Sequence, residues 1–354
     1  MRHLPIRALR DCATEILQRY GHPETHSAMV ADVMVDGDLR GYPDHGVWFL
    51  GMLPSALRSG RHNPRPNVRV VSETESALLL DGDRGFGVIS GMQAIRWCIE
   101  RARSNRGIAC AAVRNAGTVI ALAPYVELAA RAGVIGFACV NAEPAVAPPG
   151  GSTKVFGTNP LAFGVPAGRH YPLIFDTATS STAALKMRIA ALRGEKVPEG
   201  LIADEKGRPT TEPREFWPPG GGGPIGSILP LGWPVGSHKG FGLAMVVDVL
   251  AGVLTGGGFA QTASIAGSDI GQFYWALDIS PFMALEKFRA RVDEQIDQVK
   301  SSARIEGAGE ILVPGERGQR LRESLLARGT VPIPDESWER LEKVCRDLGL
   351  TPPM

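Results

Sequence analysis

The segment Asp81-Gly-Asp-Arg-Gly-Phe-Gly-Val-Ile-Ser-Gly91 limits the fold most, because it has the setting of a dinucleotide fingerprint without its spacing. It follows a strand-like apolar run, Ala77–Leu80, and opens a helix-like one. Gly85, Gly87 and Gly91 are spaced GxGxxxG. A Rossmann turn needs GxGxxG, so that backbone can approach a pyrophosphate at a helix start. No acidic residue ends a second strand about 20 positions on, where a ribose partner would sit. A tight strand-to-helix connection accounts for these glycines, and a Rossmann fold is not indicated. Walker A, HExxH and Gly-x-Ser-x-Gly are also absent from the sequence.

Hydrophobic periodicity elsewhere alternates between helix and strand, which indicates an α/β protein. Residues 6–40 read as two amphipathic helices broken near Gly21-His22-Pro23, with a third through Val47–Leu57. Strands are expected at Val68–Val71, Ala77–Leu80, Ile108–Val113, Val134–Val140, Phe163–Val165, Leu173–Phe175 and Phe273–Ile279. Further helices are expected at Gly91–Ser104, Ala121–Ala132, Phe282–Ser301, Gly318–Arg328 and Ser337–Leu348, and a buried one within Lys239–Leu254. The Pro218–Pro224 tract reads as a flexible loop or linker. Helical chain ends therefore flank a sheet-bearing middle.

At 354 residues the chain can bury a large core and divide into lobes. Its 38 Lys and Arg balance 37 Asp and Glu, so no overall field favours nucleic acid or an acidic membrane. The five cysteines have no CxxC pair or metal spacing, and no cluster calls for a metal. Cys110 and Cys139 sit in strand-like runs as core thiols. The start, MRHLPIRALRD, lacks the apolar region of a signal peptide, and no stretch is long enough to span a bilayer. A cytoplasmic protein is expected.

Four segments carry chemistry. In Asp38-Leu-Arg-Gly-Tyr-Pro-Asp-His-Gly-Val47 a helix is stopped by Gly41 and Pro43, and His45 follows on the turn with Asp44 beside it. A titratable imidazole braced by a helix end suits proton transfer, although a surface loop histidine would look the same. Gly157-Thr158-Asn159-Pro160 offers a hydroxyl and an amide in a restricted turn. Asp176-Thr177-Ala178-Thr179-Ser180-Ser181 gathers one carboxylate and four hydroxyls beyond a strand and ahead of a helix, a setting for phosphate oxygens or simply for capping. Ser237-His238-Lys239-Gly240 brings two basic groups to another helix start. His3, His22, His26, His62 and His170 have no convergent partners in the sequence and are expected to be exposed.

Together these segments resemble the malate/L-lactate dehydrogenase superfamily, which is unrelated to the Rossmann enzymes. That superfamily includes ureidoglycolate, sulfolactate and diketogulonate oxidoreductases and cyclic-imine reductases. The matches, from about residue 8 to the C-terminus, are DLRGxxxHGV at 38–47, NPRP at 63–66, GTNPLAF at 157–163 and DTATS at 176–180. They continue with GRPTTEP at 207–213, ILPLG at 228–232, HKGFGLA at 238–244 and PGE at 314–316.

The resemblance implies a homodimer binding NADH or NADPH in a non-Rossmann domain with a mostly antiparallel central sheet. Residues 76–317 would form that domain, and residues 1–75 with 318–354 a helical substrate and dimerisation lobe. It further implies that Asp176, Thr177, Ala178, Thr179, Ser180, His238, Lys239, Gly315 and Glu316 contact the dinucleotide. Thr158 and Asn159 would lie near the substrate, and His45 would donate the proton.

Two departures concern the substrate side. Family members usually read SHGVxR, where this chain has Asp44-His45-Gly46-Val47-Trp48-Phe49, so Phe49 replaces a carboxylate-clamping arginine. Thr118 stands where a second catalytic histidine is usual, and threonine cannot exchange protons near pH 7. One consequence is an oxidoreductase for a small carbonyl or imine other than a simple 2-oxo acid. Asp44 would raise the basicity of His45 and favour a cationic, ester or carrier-bound substrate, with Trp48 and Phe49 as an apolar wall. The other consequence is a catalytically impaired dinucleotide-binding protein or scaffold. The intact DTATS, HKG and PGE segments favour the first.

Overall fold

The computed structural model describes residues 1–218, 220, 223–264 and 269–354. Pro219, Gly221 and Gly222 of the expected linker lie outside the described residues. Strand β1 (Arg2–Pro5) leads into helices α1 (Ile6–Arg19) and α2 (Glu24–Leu39), and α3 (Leu53–Arg58) follows two 3-10 turns at Pro43–His45 and Val47–Met52. Then come β2 (Arg69–Glu73), β3 (Ala77–Asp81), α4 (Gly87–Asn105), β4 (Ile108–Ala116), α5 (Ala123–Arg131) and β5 (Val134–Val140). Next are β6 (Leu161–Val165), β7 (Leu173–Thr177), α6 (Ala184–Arg193), β8 (Ile202–Ala203), β9 (Pro209–Thr210), α7 (Pro213–Phe216) and β10 (Ser227–Ile228). The chain ends with α8 (Ser237–Asp248), β11 (Ile270–Asp278), α9 (Leu285–Lys300), α10 (Glu316–Arg328), β12 (Thr330–Ile333) and α11 (Asp335–Leu348).

The central sheet has seven strands in the order β2-β3-β4-β11-β5-β6-β7. Only β3 and β4 pair in parallel; every other neighbour is antiparallel, as expected of the non-Rossmann arrangement. The parallel step crosses over through α4, so the 81–91 segment is the strand-to-helix connection expected of it. Helix α5 lies very close to the sheet, because β5 and β6 offer glycines beneath it. A Cβ at Gly164 would stand 2.1 Å from the Val126 carbonyl oxygen, and one at Gly136 would stand 2.4 Å from the Ala129 Cβ. The opposite face carries Phe137, Phe163 and Trp275, with the Phe137 and Trp275 rings stacked at 5.4 Å.

Both chain ends join one helical layer. β1 pairs with β12, and Leu9, Cys12 and Ile16 of α1 share a buried cluster with Leu341, Val344 and Cys345 of α11. Burying those side chains is worth about 1.5–3 kcal/mol each relative to exposure, which fixes both ends onto the sheet's core. Strand β2 already belongs to the central sheet.

Two expectations are corrected. The helix expected through Val47–Leu57 is a 3-10 stretch followed by the short α3, because Gly46 and Gly51 break the α-helical pattern. The segment Lys239–Leu254 is helical, but it is not buried all round: Leu243, Met245, Val246, Val249, Val253 and Leu254 are exposed.

Candidate active site

His45 is placed by the abrupt end of α2. Gly37 allows the following turn to fold back, since a Cβ there would sit 2.2 Å from the His45 carbonyl oxygen. Gly46 is equally constrained: its Cβ would stand 2.0 Å from the Asp38 carboxyl. That carboxyl accepts the Val47 N–H at 2.9 Å and so caps the next turn from below. Burial, reinforced by the charge of Asp44 and only partly opposed by the Val47 N–H, pushes Asp38 up to about 8. Arg40 clamps the helix end from the other side, buried between Asp36 at 2.5 Å and Glu127 of α5.

Asp44 is 2% exposed and lies 3.1 Å from Nδ1 of His45. Burial would raise the Asp44 pKa, but its contact with His45 outweighs that and lowers it. Crowding by the protein opposes charge on His45, yet Asp44, helped by Asp176, holds the imidazole above its ordinary value. Lys186 acts the other way. About a third of the imidazole surface stays open, as a proton donor requires (33%).

The opening is a cavity of ≈ 260 Å³ lined by His45, Tyr42, Thr158, Asp176, Thr177, Ala178, Ser180 and Lys186, among others. Three separate motifs therefore meet here: the α2 turn, the GTNP turn and the DTATS segment. Asp176 holds the cavity wall in place, with its Oδ2 accepting the N–H groups of Leu122 (3.0 Å) and Ala123 (2.8 Å) at the start of α5. Lys186, from the first turns of α6, makes no ion pair within 4 Å among the described residues and supplies a cation to this cavity.

Not every expected residue faces it. Thr179 is 2% exposed and donates its hydroxyl to the carbonyls of Thr158 (3.0 Å) and Asn159 (3.1 Å), tying two loops together. Asn159 is fully buried: its Oδ1 accepts the Ala142 N–H and its Nδ2 donates to the Ala244 carbonyl. Trp48 is a core residue between the Arg340 and Arg188 guanidinium groups, at 3.9 and 5.6 Å from its ring, and forms no wall of the cavity. Asp44 likewise points at His45 from behind and lines no part of this cavity.

A second and larger cavity, ≈ 590 Å³, includes Trp233, Ser237 and His238 at the start of α8. It adjoins the first across a short pairing in which Ser181 donates its N–H to Leu229 and its hydroxyl to Pro230. Lys239 is exposed on the same helix start. Hydroxyls, helix-start N–H groups and two basic side chains arranged along adjoining cavities fit the chemistry of a dinucleotide, whose pyrophosphate is anionic. Gly315 and Glu316 lie across β7. Gly315, at φ 86°, packs on Ile174, while Glu316 is committed to Lys300 at 2.8 Å and to Arg320.

Thr118 and Phe49 line a separate cavity of ≈ 220 Å³ beside the first, with Met52, Leu53 and Phe86. The Thr118 hydroxyl accepts the Ile120 N–H at 3.1 Å, and the Phe49 ring lies 6.3 Å from the His45 ring. His62 also lines this cavity and, contrary to its expected exposure, is buried with its Nε2 3.2 Å from Nε2 of the equally buried His22. Burial pushes His22 down to about 3 and His62 down to about 4, so both are neutral at physiological pH. His170 is also partnered, by Asp297 at 2.9 Å.

The sequence reading missed Lys186, Tyr42 and the buried pair His22–His62. For Lys186 a signal existed, since it lies on the helix expected after the hydroxyl run. For the histidines none did, because 40 residues of chain separate them.

Comparison with known proteins assigns the class. The malate/L-lactate dehydrogenase family model matches residues 4–342, and the chain belongs to that family. It is an NAD(P)-dependent oxidoreductase acting on small substrates. Among its relatives, a malate dehydrogenase of Pyrococcus abyssi is 34% identical over 98% of this chain and 95% of its own. An L-sulfolactate dehydrogenase of Methanocaldococcus jannaschii is 34% identical over 95% of this chain and 94% of its own. The solved malate dehydrogenase of Pyrococcus horikoshii superposes with a TM-score of 0.90 at 31% identity, covering 99% of this chain and 97% of the other.

Proposed function

We propose that this enzyme uses NADH or NADPH to reduce a small carbonyl or imine other than a simple 2-oxo acid, with His45 as proton donor. The observation that carries this is the cavity in which His45, its pKa raised by Asp44, meets Thr158, Lys186, Asp176, Thr177, Ala178 and Ser180. When bound, the dinucleotide supplies the hydride that reaches the carbonyl or imine carbon. His45 delivers a proton to the oxygen or nitrogen, and Asp44 stabilises the imidazolium until transfer. Lys186 is aimed at a substrate anion, and the Thr158 hydroxyl can donate to or accept from the reacting group. Asp176, Thr177, Ala178 and Ser180 line the reactive end of the dinucleotide site. His238 and Lys239 face its phosphates, while Gly315 and Glu316 support the site from across β7.

Residues 76–317 would carry the dinucleotide and the helical layer the proton donor. We further propose a homodimer, in which a second copy covers the apolar face formed by Leu243, Met245 and Val246 of α8 and Val249 just after it. Such a contiguous exposed row is unusual in a monomer. Among the described residues no helix is long and apolar enough to cross a membrane.

The test is a fluorescence titration of the purified protein with NADH and NADPH. Saturable binding of one of them, lost on adding excess oxidised nucleotide, is expected. Failure of both to bind a folded protein would overturn the reading.

A further inference from the structure

We propose that Cys12 of α1 and Cys345 of α11 form a disulfide under oxidising conditions, clamping the two chain ends together beneath the His45 turn. The cross-link lies in the helical layer and does not depend on the nucleotide or the substrate.

The two thiols are 333 residues apart in the chain, and folding brings their Sγ atoms to 3.6 Å. A disulfide needs about 2.0 Å between its sulfurs, so each Sγ has to move by less than about 1 Å. The helices that carry them are held in place by other contacts. β1 leads into α1 and pairs from Arg2↔Ile333 to Pro5↔Thr330 with β12, which leads into α11. Leu9, Ile16, Leu341 and Val344 belong to the same buried cluster as the two cysteines. The N-terminal ammonium pairs with Asp335 at 2.9 Å, and the Arg2 guanidinium stands 4.4 Å from the Trp338 ring. The bond therefore forms across a preset contact and draws no distant elements together. The other cysteines are placed differently. Cys98 donates to the Tyr274 carbonyl at 3.8 Å, while Cys110 and Cys139 lie on strands separated by β11.

The two sulfurs are not equivalent. The hydrogen bond from Cys12 lowers the Cys345 pKa, whereas the same contact and burial raise that of Cys12. Cys345 is thus the nucleophile, and the pair's burial suits a small neutral oxidant such as hydrogen peroxide. The Cys345 thiolate attacks one peroxide oxygen, breaks the O–O bond and becomes a sulfenic acid. The hydroxide released combines with the proton lost from Cys345 to give water. The Cys12 sulfur then attacks the Cys345 sulfur, and the sulfenic oxygen leaves with the Cys12 proton as a second water. The two thiols lose two electrons and two protons, and one peroxide is reduced to two waters.

The clamp bears on the candidate active site through the segment after His45. Residues 47–52 pack against both α1 and α11, and Arg340 of α11 stands 3.9 Å from the Trp48 ring. Joining the two helices stabilises the support on which that turn rests.

The test treats wild type, Cys12→Ser and Cys345→Ser with hydrogen peroxide and counts thiols after denaturation without reductant. In the wild type two of the five thiols should disappear, and peptide mapping should find residues 12 and 345 joined. The thermal unfolding midpoint of the linked protein should rise by about 3–5 °C, because the bond closes a very long loop. Both serine variants should lack the linked peptide and the rise. Survival of all five thiols, sulfinic or sulfonic acid at either position, or linkage of either to another cysteine would overturn the proposal. A linked protein whose midpoint is unchanged or lower would overturn the clamp. The wild-type mapping decides the linkage even if a serine variant fails to fold.

Discussion

The two cavities flanking His45 differ as sharply in chemistry as they are close in space. One is lined by His45, Thr158, Asp176 and Lys186, and its polar groups come from three turns that match the family pattern. The other is walled by Phe49, Met52, Leu53 and Phe86, with Thr118 beside them. On the family pattern expected from the sequence, Phe49 and Thr118 fall in the apolar cavity and Asp44 behind His45, while the segments expected to face the nucleotide keep their residues. A decaying enzyme would lose residues on both sides. Retention on one side with replacement on the other is what altered substrate choice produces, because specificity is set by the difference between the contacts a site makes with competing substrates.

The largest expected effect falls on the polar side. His45→Ala should lower the reductive rate by about 10²–10⁴-fold, the usual contribution of a positioned acid. Thr118→Ala, across the shared wall, should change it by less than about fivefold, because threonine has no proton to exchange near neutral pH. Steady-state NAD(P)H oxidation checks both, and comparable losses would erase the distinction between the compartments.

Next in size is Lys186→Gln. Removing a charged hydrogen-bond donor from a substrate anion should raise KM by about 10–100-fold and alter kcat much less. An equal fall in kcat would instead place Lys186 in the chemical step.

A smaller effect concerns stability. The buried Asp38 has its pKa raised to about 8 in the fold. A group raised in this way favours folding fully below its unfolded value, and the contribution is lost as pH climbs toward the folded value. Stability owed to Asp38 should thus decline between about pH 4 and pH 8. Asp38→Asn removes that loss, and its advantage over wild type in thermal unfolding should grow by on the order of 4 kcal/mol from pH 5 to pH 8. A constant difference across that range would show that Asp38 is not neutral beneath the turn.

Much of this was legible in the chain. Strand β5 matches its expected span because Val134–Val140 is a continuous apolar run following a glycine, and the break at Gly21-His22-Pro23 separates α1 from α2. His45 stood out because glycine and proline punctuate the turn around it. Non-local relations were hidden. Nothing local announces that β11, far along the chain, inserts between β4 and β5, nor that β1 and β12 pair across the termini. Lys186 becomes a site residue only because α6 returns from β7 beneath the α2 turn. Trp48 and Asn159 mislead for the opposite reason. Their neighbours belong to the site, but their own side chains turn into the core, where Asn159 satisfies backbone groups of two other segments.

The central claim is that Asp44 keeps His45 charged so that it can give up a proton. Its most direct test is the pH dependence of kcat/KM for reduction, compared between wild type and Asp44→Asn. Because Asp44 raises the His45 pKa, activity in the wild type should persist to a pH above the ordinary histidine value and then fall as the imidazole deprotonates. In Asp44→Asn that descending limb should move to lower pH while the low-pH plateau survives. Identical profiles for the two proteins would contradict the account and leave the pairing of Asp44 with His45 without a part in catalysis.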